Sequence, residues 1–447
     1  MTNRRIDLLA TLCVLSLSPS LSTGCQCSSS EAPLPHTAAA PTPPAEPEPP
    51  VEVAEAATDD TAYGRELAEQ NAQLEGLDRL ATRYANDWGR LERLSHAYEQ
   101  RAGLTGNYDD YVRAQETLDR AFDGAPEGAG PFLSRAHLHY TLHRLAAASA
   151  DLDAADGAQL MTPATRNSIS GLRGDIAFHR GDFEEAERRH RATDEAQPSG
   201  GSAFRIAYDL WQAARFDEAE RWLGVAESRT PATDHRTRAW MSLQMGLMDL
   251  SRGRYEEALA HYQEADRRFD GWWLVHEHIA EVEVLLGHLD EAERRYRDVV
   301  ERTNNPELID ALADLLEQRG HADEAATFRA RADARFEEQL EQLPEAAYGH
   351  ALEHFLEHGT PERALELAEA NYRMRPGGEA TVRLAQALLR SDRAADARAR
   401  LEPLLATRYR TAELHATMAR AARATGDEAL AAEHEGLATA IDPHALD

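Results

Sequence analysis

The residues of this chain best suited to metal chemistry are three histidines in the segment His350-Ala-Leu-Glu-His-Phe-Leu-Glu-His358. Histidines four residues apart lie on one face of a helix, where their imidazoles can bind a single Zn²⁺ ion. Glu353 and Glu357 stand between them and can activate a zinc-bound water. This pattern gives the hypothesis that His350, His354 and His358 bind a metal ion, or that they support zinc-dependent hydrolysis.

This segment contains two overlapping H-x-x-E-H strings and so resembles the signature of the inverzincin metallopeptidases. That resemblance implies a peptidase fold built on a sheet, but no part of the sequence has the alternating pattern of a strand. Overlapping strings also arise from helical spacing in a segment rich in His and Glu. We therefore expect no catalytic residues, no cofactor and no bound metal. A metal-binding or zinc metallopeptidase role centred on His350–His358 is the alternative.

The histidines belong to a larger pattern, because a short phrase recurs along the chain and predicts repeated elements. The phrase ends in an alanine, and its copies follow one another at intervals of about 34 residues, the period of a helix-turn-helix solenoid. Two of the intervals, from Ala219 to Ala258 and from Ala325 to Ala364, are longer than the others. The alanines that close the phrase are Ala186, Ala219, Ala258, Ala292, Ala325, Ala364, Ala397 and Ala431.

Each part of the phrase has a mechanical explanation, illustrated by Gly181-Asp-Phe-Glu-Glu-Ala186. The glycine ends a first helix, the acidic residues favour the start of a second, and the alanine lets the two helices approach closely. With small residues upstream, such as Gly174 and Gly246, and closing prolines, such as Pro198, the chain resembles the tetratricopeptide repeat family from about 92 to 445. The resemblance implies an all-α, right-handed superhelical solenoid that binds peptides or partner proteins.

The register predicts about ten repeats over 92–445, of which the first two are degenerate, and one further helix within 62–91. The two long intervals predict a longer connection near 231–238 and a longer second helix near 326–343. The histidine segment then falls on the first helix of the eighth repeat. An ordinary repeat helix therefore positions the three imidazoles.

Residues 1–24 have the pattern of an export signal, with Arg4 and Arg5 before an apolar stretch. The end of this stretch, Leu21-Ser-Thr-Gly-Cys25, resembles a bacterial lipobox, which implies lipidation of Cys25 as the first mature residue. A plain secretory signal is the alternative. Residues 25–61 are rich in Pro, Ala and Glu and predict a disordered tether. We expect a chain anchored by lipid to the outer membrane and facing the periplasm, or else a soluble periplasmic or secreted protein.

The charge of the chain restricts its partners. All 48 basic residues are arginine and the net charge is −30, which argues against binding to nucleic acid or to an anionic membrane surface. Membrane association is therefore expected through the lipid anchor alone. The cysteines lie at positions 13, 25 and 27, so the repeat region contains neither a disulfide nor a reactive thiol.

In tetratricopeptide proteins the first helix of each pair lines the concave surface, and this register predicts a peptide groove. Its first half would be aromatic and apolar, and its second half acidic, so that a partner segment would insert apolar side chains and present basic residues further along. Alternatively, the aromatic residues pack between repeats and the carboxylates are solvated. The predicted groove residues are Phe178, Phe204, Tyr208, Trp211, Trp240, Leu243, Leu247, Glu277, Glu281, Asp310 and Asp314.

These expectations combine into one prediction, a non-catalytic interaction scaffold or assembly factor of the bacterial cell envelope. Its partners would be proteins or peptide segments, and it would have no small-molecule substrate. A purely architectural protein that makes its contacts through its ends or convex face is a further alternative.

Overall fold

The computed structural model describes residues 59–157 and 161–446. Within these ranges the chain forms helices and connections and contains no strand. The predicted all-α solenoid is thereby confirmed. The export signal, Cys25 and most of the tether lie outside the described residues, so the predictions made for them stay predictions. Among the described helices, none has both the length and the apolar character needed to cross a bilayer.

A single helix, α1, is followed by pairs of helices joined by short turns, and each pair from α2/α3 to α20/α21 packs as a hairpin. The helices are α1 Ala62–Arg83, α2 Trp88–Thr105, α3 Tyr108–Gly124, α4 Phe132–Thr141, α5 Leu145–Asp156, α6 Pro163–His179, α7 Phe183–Ala196, α8 Gly200–Trp211, α9 Phe216–Arg229, α10 His235–Leu250, α11 Tyr255–Arg268, α12 Trp273–Leu285, α13 Leu289–Thr303, α14 Pro306–Gln318, α15 Ala322–Gln342, α16 Pro344–Glu357, α17 Pro361–Met374, α18 Gly378–Arg390, α19 Ala394–Leu405, α20 Ala412–Ala424 and α21 Glu428–Ile441. We number the hairpins as repeats 1 to 10.

The recurring phrase acts as its residues predict. Its alanines are buried where two helices cross, as Ala186, Ala219 and Ala258 show. The two long intervals also have visible causes. The connection before α10 covers residues 230–234, whereas residues 235–238 of the predicted longer connection begin α10, which is 16 residues long. The second interval has the predicted cause, since α15 is 21 residues long.

Successive turns of the superhelix touch one another. The indole Nε1 of Trp273 in repeat 6 donates to the carbonyl oxygen of Leu104 in repeat 1, at 2.9 Å and across 169 residues of sequence. Arg144 in repeat 2 forms an ion pair of 3.2 Å with Glu345 in repeat 8. Before the first repeat, the Ala62 backbone N–H donates to the Asp270 side chain across 208 residues. The sequence did not predict this closure, which brings repeats that are distant in the sequence into contact.

Candidate binding cavity inside the solenoid

Closure brings repeats 3 and 4 against the segment that links repeats 9 and 10. The ring of Tyr409 stacks on Phe183 with centroids 5.3 Å apart, and the backbone N–H of Arg410 donates to the carbonyl oxygen of Gln212 at 2.7 Å. At Gly377 a Cβ atom would lie 2.9 Å from the carbonyl oxygen of His179. This glycine therefore permits a backbone approach that a larger residue would obstruct.

Between these regions lies a cavity of about 580 Å³. One side is built from repeats 3 to 5 and is mainly aromatic. We call it the aromatic wall, and its residues are Phe178, Tyr208, Trp211, Phe216, Leu250 and Tyr255. Phe178 and Tyr208 have centroids 5.2 Å apart, Tyr208 and Trp211 have centroids 5.7 Å apart, and Trp211 Nε1 donates to Ser251 Oγ at 3.0 Å. These contacts fix the orientation of the rings toward the cavity.

The opposite side comes from repeats 8 to 10. We call it the arginine wall after Arg375, Arg383, Arg410, Arg420 and Arg423, and the same side also carries the carboxylates Glu357, Glu379, Glu413 and Glu435. Two of these guanidinium groups are neutralised by carboxylates. Arg383 pairs with Glu353 and Glu413, both at 2.7 Å, and Arg423 pairs with Glu435 at 2.6 Å.

Arg375 is the least compensated of the buried cations in this wall. Its side chain is only 4% exposed, and Nε donates to Asn371 Oδ1 at 2.9 Å. Its nearest carboxylate oxygen belongs to Glu379, 3.9 Å away, and Nη2 has no hydrogen-bond partner among the described residues. A buried guanidinium nitrogen without a partner is costly, because the group has lost its water. An anionic group entering the cavity would supply the missing acceptor.

The Arg375 charge also affects its neighbours. Burial lowers the pKa of His179 at the cavity edge to about 4, and the positive charge of Arg375 acts in the same direction. His179 is therefore neutral at physiological pH. The cation of the arginine wall stands beside a neutral imidazole that cannot compensate its charge.

Part of the predicted groove lines this cavity, and part does not. Phe178, Tyr208, Trp211 and Glu281 line it, so their role in binding stays a prediction. The other apolar members pack between repeats: Phe204 and Trp240 have centroids 4.3 Å apart, and Leu243 and Leu247 are fully buried. Close helix packing at these positions favours the alternative in which the aromatic residues pack between repeats.

The predicted acidic half is neutralised by other residues of the chain. Arg329 binds both Asp310 and Asp314. Glu277 and Glu281 are each 2% exposed and flank His278, at 3.4 and 3.3 Å. These carboxylates therefore give no support to the expected preference for basic residues in the partner.

The histidine segment on α16 faces the carboxylates of α14. His350 Nδ1 lies 2.5 Å from Glu307, His354 Nδ1 lies 2.9 Å from Asp310, and His358 Nε2 lies 3.3 Å from Asp314. The three imidazoles thus form a ladder of separate contacts with carboxylates and do not converge on one point.

Only one of these three imidazoles takes part in a metal-sized cluster among the described residues. His358 joins Asp310 and Asp314, with ligand atoms within 4.8 Å of one another. Arg329 already occupies the carboxylates of that cluster. No two of these three histidines are placed to bind the same ion, so the geometry does not support the zinc-peptidase hypothesis.

The arginine wall was not predicted from the sequence. Carrying the groove register into repeat 10 would have selected Arg420 and Arg423, which do line the cavity. No local pattern marks Arg375 or Arg410, because both lie between helices. Their place in the cavity depends on residues of repeats 3 and 4, far away in the sequence.

Comparisons with known proteins add little beyond the fold class. No protein-family model matches the sequence, and no curated protein matches it. Among solved structures, PilF of Pseudomonas aeruginosa is 17% identical, with a TM-score of 0.33, covering 49% of this chain and 96% of its own. PilW, described as a type IV pilus biogenesis factor, is 16% identical, with a TM-score of 0.38, covering 49% of this chain and 98% of its own.

A tetratricopeptide repeat protein from Parabacteroides merdae is 17% identical, with a TM-score of 0.34, covering 54% of this chain and 93% of its own. At identities and TM-scores this low, the similarities carry nothing about ligands or partners. The helix hairpins themselves establish the solenoid.

Proposed function

We propose that this chain is a non-catalytic binding scaffold of the bacterial cell envelope, which holds a segment of a partner protein in the cavity between the aromatic and arginine walls. The single observation that carries the proposal is the pairing, across one cavity, of an aromatic surface with the buried guanidinium of Arg375, whose Nη2 has no hydrogen-bond partner among the described residues. Such a combination of apolar surface and a few oriented polar groups is typical of binding sites.

The dimensions limit the occupant. A volume of about 580 Å³ is in the range of ligand pockets and holds a few side chains, but it cannot hold a long helix. Contacts such as Tyr409 on Phe183 close the groove beside the cavity. The occupant that fits is therefore a short stretch or the end of a partner segment, with an apolar or aromatic side chain and a carboxylate.

The lining chemistry assigns each part of this segment to a wall. Its apolar side chain would pack on Tyr208 and Trp211, where burial of aromatic surface supplies most of the binding free energy. Its carboxylate would accept a hydrogen bond from Arg375, in the bidentate manner that guanidinium groups favour. This proposed acidic preference differs from the basic one expected from the sequence.

The location in the envelope rests on the leader sequence. Arg4, Arg5 and the apolar stretch before Cys25 indicate export, and lipidation of Cys25 would leave residues 25–61 as a tether. In this arrangement the lipid sets the location and the tether sets the reach of the solenoid.

Crosslinking in the native envelope, followed by capture of the tagged chain, tests the proposal. Replacing both Tyr208 and Trp211 by alanine should reduce recovery of the captured partner at least about tenfold, because central aromatic residues dominate binding. Trp222→Ala is the matched control, since Trp222 is partly exposed and lines neither wall.

Circular dichroism before capture separates lost binding from lost folding. Equal recovery of the partner with a folded double variant would overturn the proposal. Displacement of the partner by a small molecule extracted with the wild-type protein would instead assign the cavity to a small-molecule ligand.

A further inference from the structure

A second cluster, on α12, contains a histidine between two carboxylates. The side chains of Glu277, His278 and Glu281 are 2%, 4% and 2% exposed, and one ligand atom from each lies within 4.8 Å of the others. His278 Nδ1 is 3.3 Å from Glu281, and Nε2 is 3.4 Å from Glu277. We call these three residues the α12 cluster.

The two carboxylates of the α12 cluster share a single protein partner, the imidazole of His278. Two carboxylates face one imidazole, and no arginine among the described residues forms an ion pair with either carboxylate. Oxygen Oε1 of Glu277 is buried and has no hydrogen-bond partner among the described residues. A buried carboxylate oxygen without a hydrogen-bond donor has the position and chemistry of a metal ligand.

A neighbouring side chain offers one further oxygen. Tyr296 on α13 is fully buried, and its hydroxyl has no hydrogen-bond partner among the described residues. Burial raises its pKa well above the usual value, and the charges of Glu281 and Glu277 add to this effect. Its hydroxyl belongs to the surroundings of the same two carboxylates.

The imidazole of the cluster is held by the repeat architecture. The ring of Tyr262 stacks on His278 with centroids 5.4 Å apart and planes at 24°. Tyr262 has room because residue 246 is a glycine, where a Cβ atom would lie 2.3 Å from the tyrosine ring. The small residue of the repeat pattern therefore fixes the orientation of a ligand side chain, as the surroundings of metal sites commonly do.

The cluster also borders the cavity. Glu281 lines the cavity between the aromatic and arginine walls. An ion in the cavity would therefore meet the cluster at Glu281.

We propose that Glu277, His278 and Glu281 form a binding site for a divalent transition-metal ion, with Zn²⁺ as the preferred ion. One imidazole nitrogen and two carboxylate oxygens suit zinc better than calcium or magnesium, which take mainly oxygen ligands. A doubly charged ion also neutralises both carboxylates. The site does not depend on the proposed binding of a partner segment.

The cluster Asp310–Asp314–His358 shows why we assign the metal site to the α12 cluster and not to both clusters. It has the same donor types and a similar spread of ligand atoms. Arg329 binds both of its carboxylates, so a protein cation takes the place of a metal. The α12 cluster has no such arginine among the described residues.

Titration of the purified full chain with Zn²⁺, in competition with a chromophoric chelator, tests the site. We expect one tightly bound ion, and at least about tenfold weaker binding in His278→Gln and in Glu281→Gln. Co²⁺ should give d–d absorption bands of a site with nitrogen and oxygen ligands in the wild type and lose them in both variants.

Two control variants make the result specific. His358→Gln alters the other cluster, and Glu283→Gln removes a neighbouring carboxylate of α12 that pairs with Arg295 at 3.1 Å. Both should retain the wild-type affinity for Zn²⁺. Glu277→Gln provides the control for folding, because it keeps the side-chain volume and should leave the melting temperature of the metal-free protein unchanged while it weakens Zn²⁺ binding.

The possible results of these titrations lead to different conclusions about the α12 cluster. No Zn²⁺ or Co²⁺ binding by the wild type, or equal binding by His278→Gln, would overturn the site. Loss of the ion in His358→Gln alone would move it to the cluster beside Arg329. Unchanged partner capture by His278→Gln would leave the proposed function untouched.

Discussion

The two walls of the cavity differ in how the sequence builds them. The aromatic wall comes from neighbouring repeats, and its rings touch in order along the chain, from Phe178 to Tyr208 to Trp211. The arginine wall comes from repeats 8 to 10 and faces it only because superhelical turns meet. The aromatic wall follows from the repeat register, whereas the arginine wall faces it only because superhelical turns are in contact. The site therefore depends on contacts that no single repeat contains.

The largest effect is expected from breaking the contact between turns. Trp273 is 2% exposed and donates to Leu104 of repeat 1, so Trp273→Ala leaves a large cavity and an unpaired carbonyl. We expect the free energy of unfolding to fall by about 3–5 kcal/mol. Urea denaturation measures this change. Trp222→Ala is the control and should cost less than about 1 kcal/mol.

If Trp273→Ala lowers stability by under about 1 kcal/mol, closure does not hold the walls together. A variant that stays folded but loses partner capture would support the dependence of the site on closure.

A smaller effect is expected from the arginine wall. Arg375→Met keeps much of the side-chain volume and removes the buried guanidinium. We expect binding of the captured segment to weaken about tenfold, because a charge-assisted hydrogen bond is lost. Stability should rise by about 1 kcal/mol, because an uncompensated buried charge disappears. Isothermal titration and denaturation measure the two changes, and parallel losses in both would contradict the binding role of Arg375.

The third effect concerns pH. The pKa of His179 is about 4 in the folded chain, against an ordinary value of 6.5. The unfolded chain therefore binds this proton first as the pH falls, and stability is lost between pH 6.5 and 4. The loss is at most about 1.4 kcal/mol per pH unit.

A comparison of unfolding curves across this pH range measures the His179 contribution. His179→Gln should flatten the pH dependence, whereas the exposed His235 provides a control whose replacement by glutamine should leave it unchanged. Equal slopes for wild type and His179→Gln would contradict the neutral, buried imidazole beside Arg375.

The fold could be predicted from the sequence because each repeat is specified by a short pattern of neighbouring residues. The spacing of alanines such as Ala186 and Ala258 locates the helix crossings, and both alanines are fully buried. The same pattern located Phe178, Tyr208 and Trp211 on inner helices. It could not separate a cavity-lining ring from a packed one, since Phe204 meets Trp240 between repeats.

The position of the arginine wall and the pairing of charges depend on contacts between residues far apart in the sequence, which a local pattern does not encode. The number of residues per superhelical turn decides that Arg410 meets Gln212 and that Trp273 meets Leu104. Pairing of charges is equally non-local. Asp310 and Asp314 resembled an open acidic face in the sequence, but Arg329 of the next helix neutralises them.

Site-specific photocrosslinking in the native envelope tests the central claim most directly. A photoreactive residue at position 212 reports from the side of the aromatic wall, and one at position 420 reports from the arginine wall. Exposed positions 221 and 369, outside the cavity lining, provide the controls. We predict that positions 212 and 420 crosslink to the same short segment of one partner and that the controls do not. Crosslinks from the outer positions to that partner, with none from either wall, would contradict binding in the cavity.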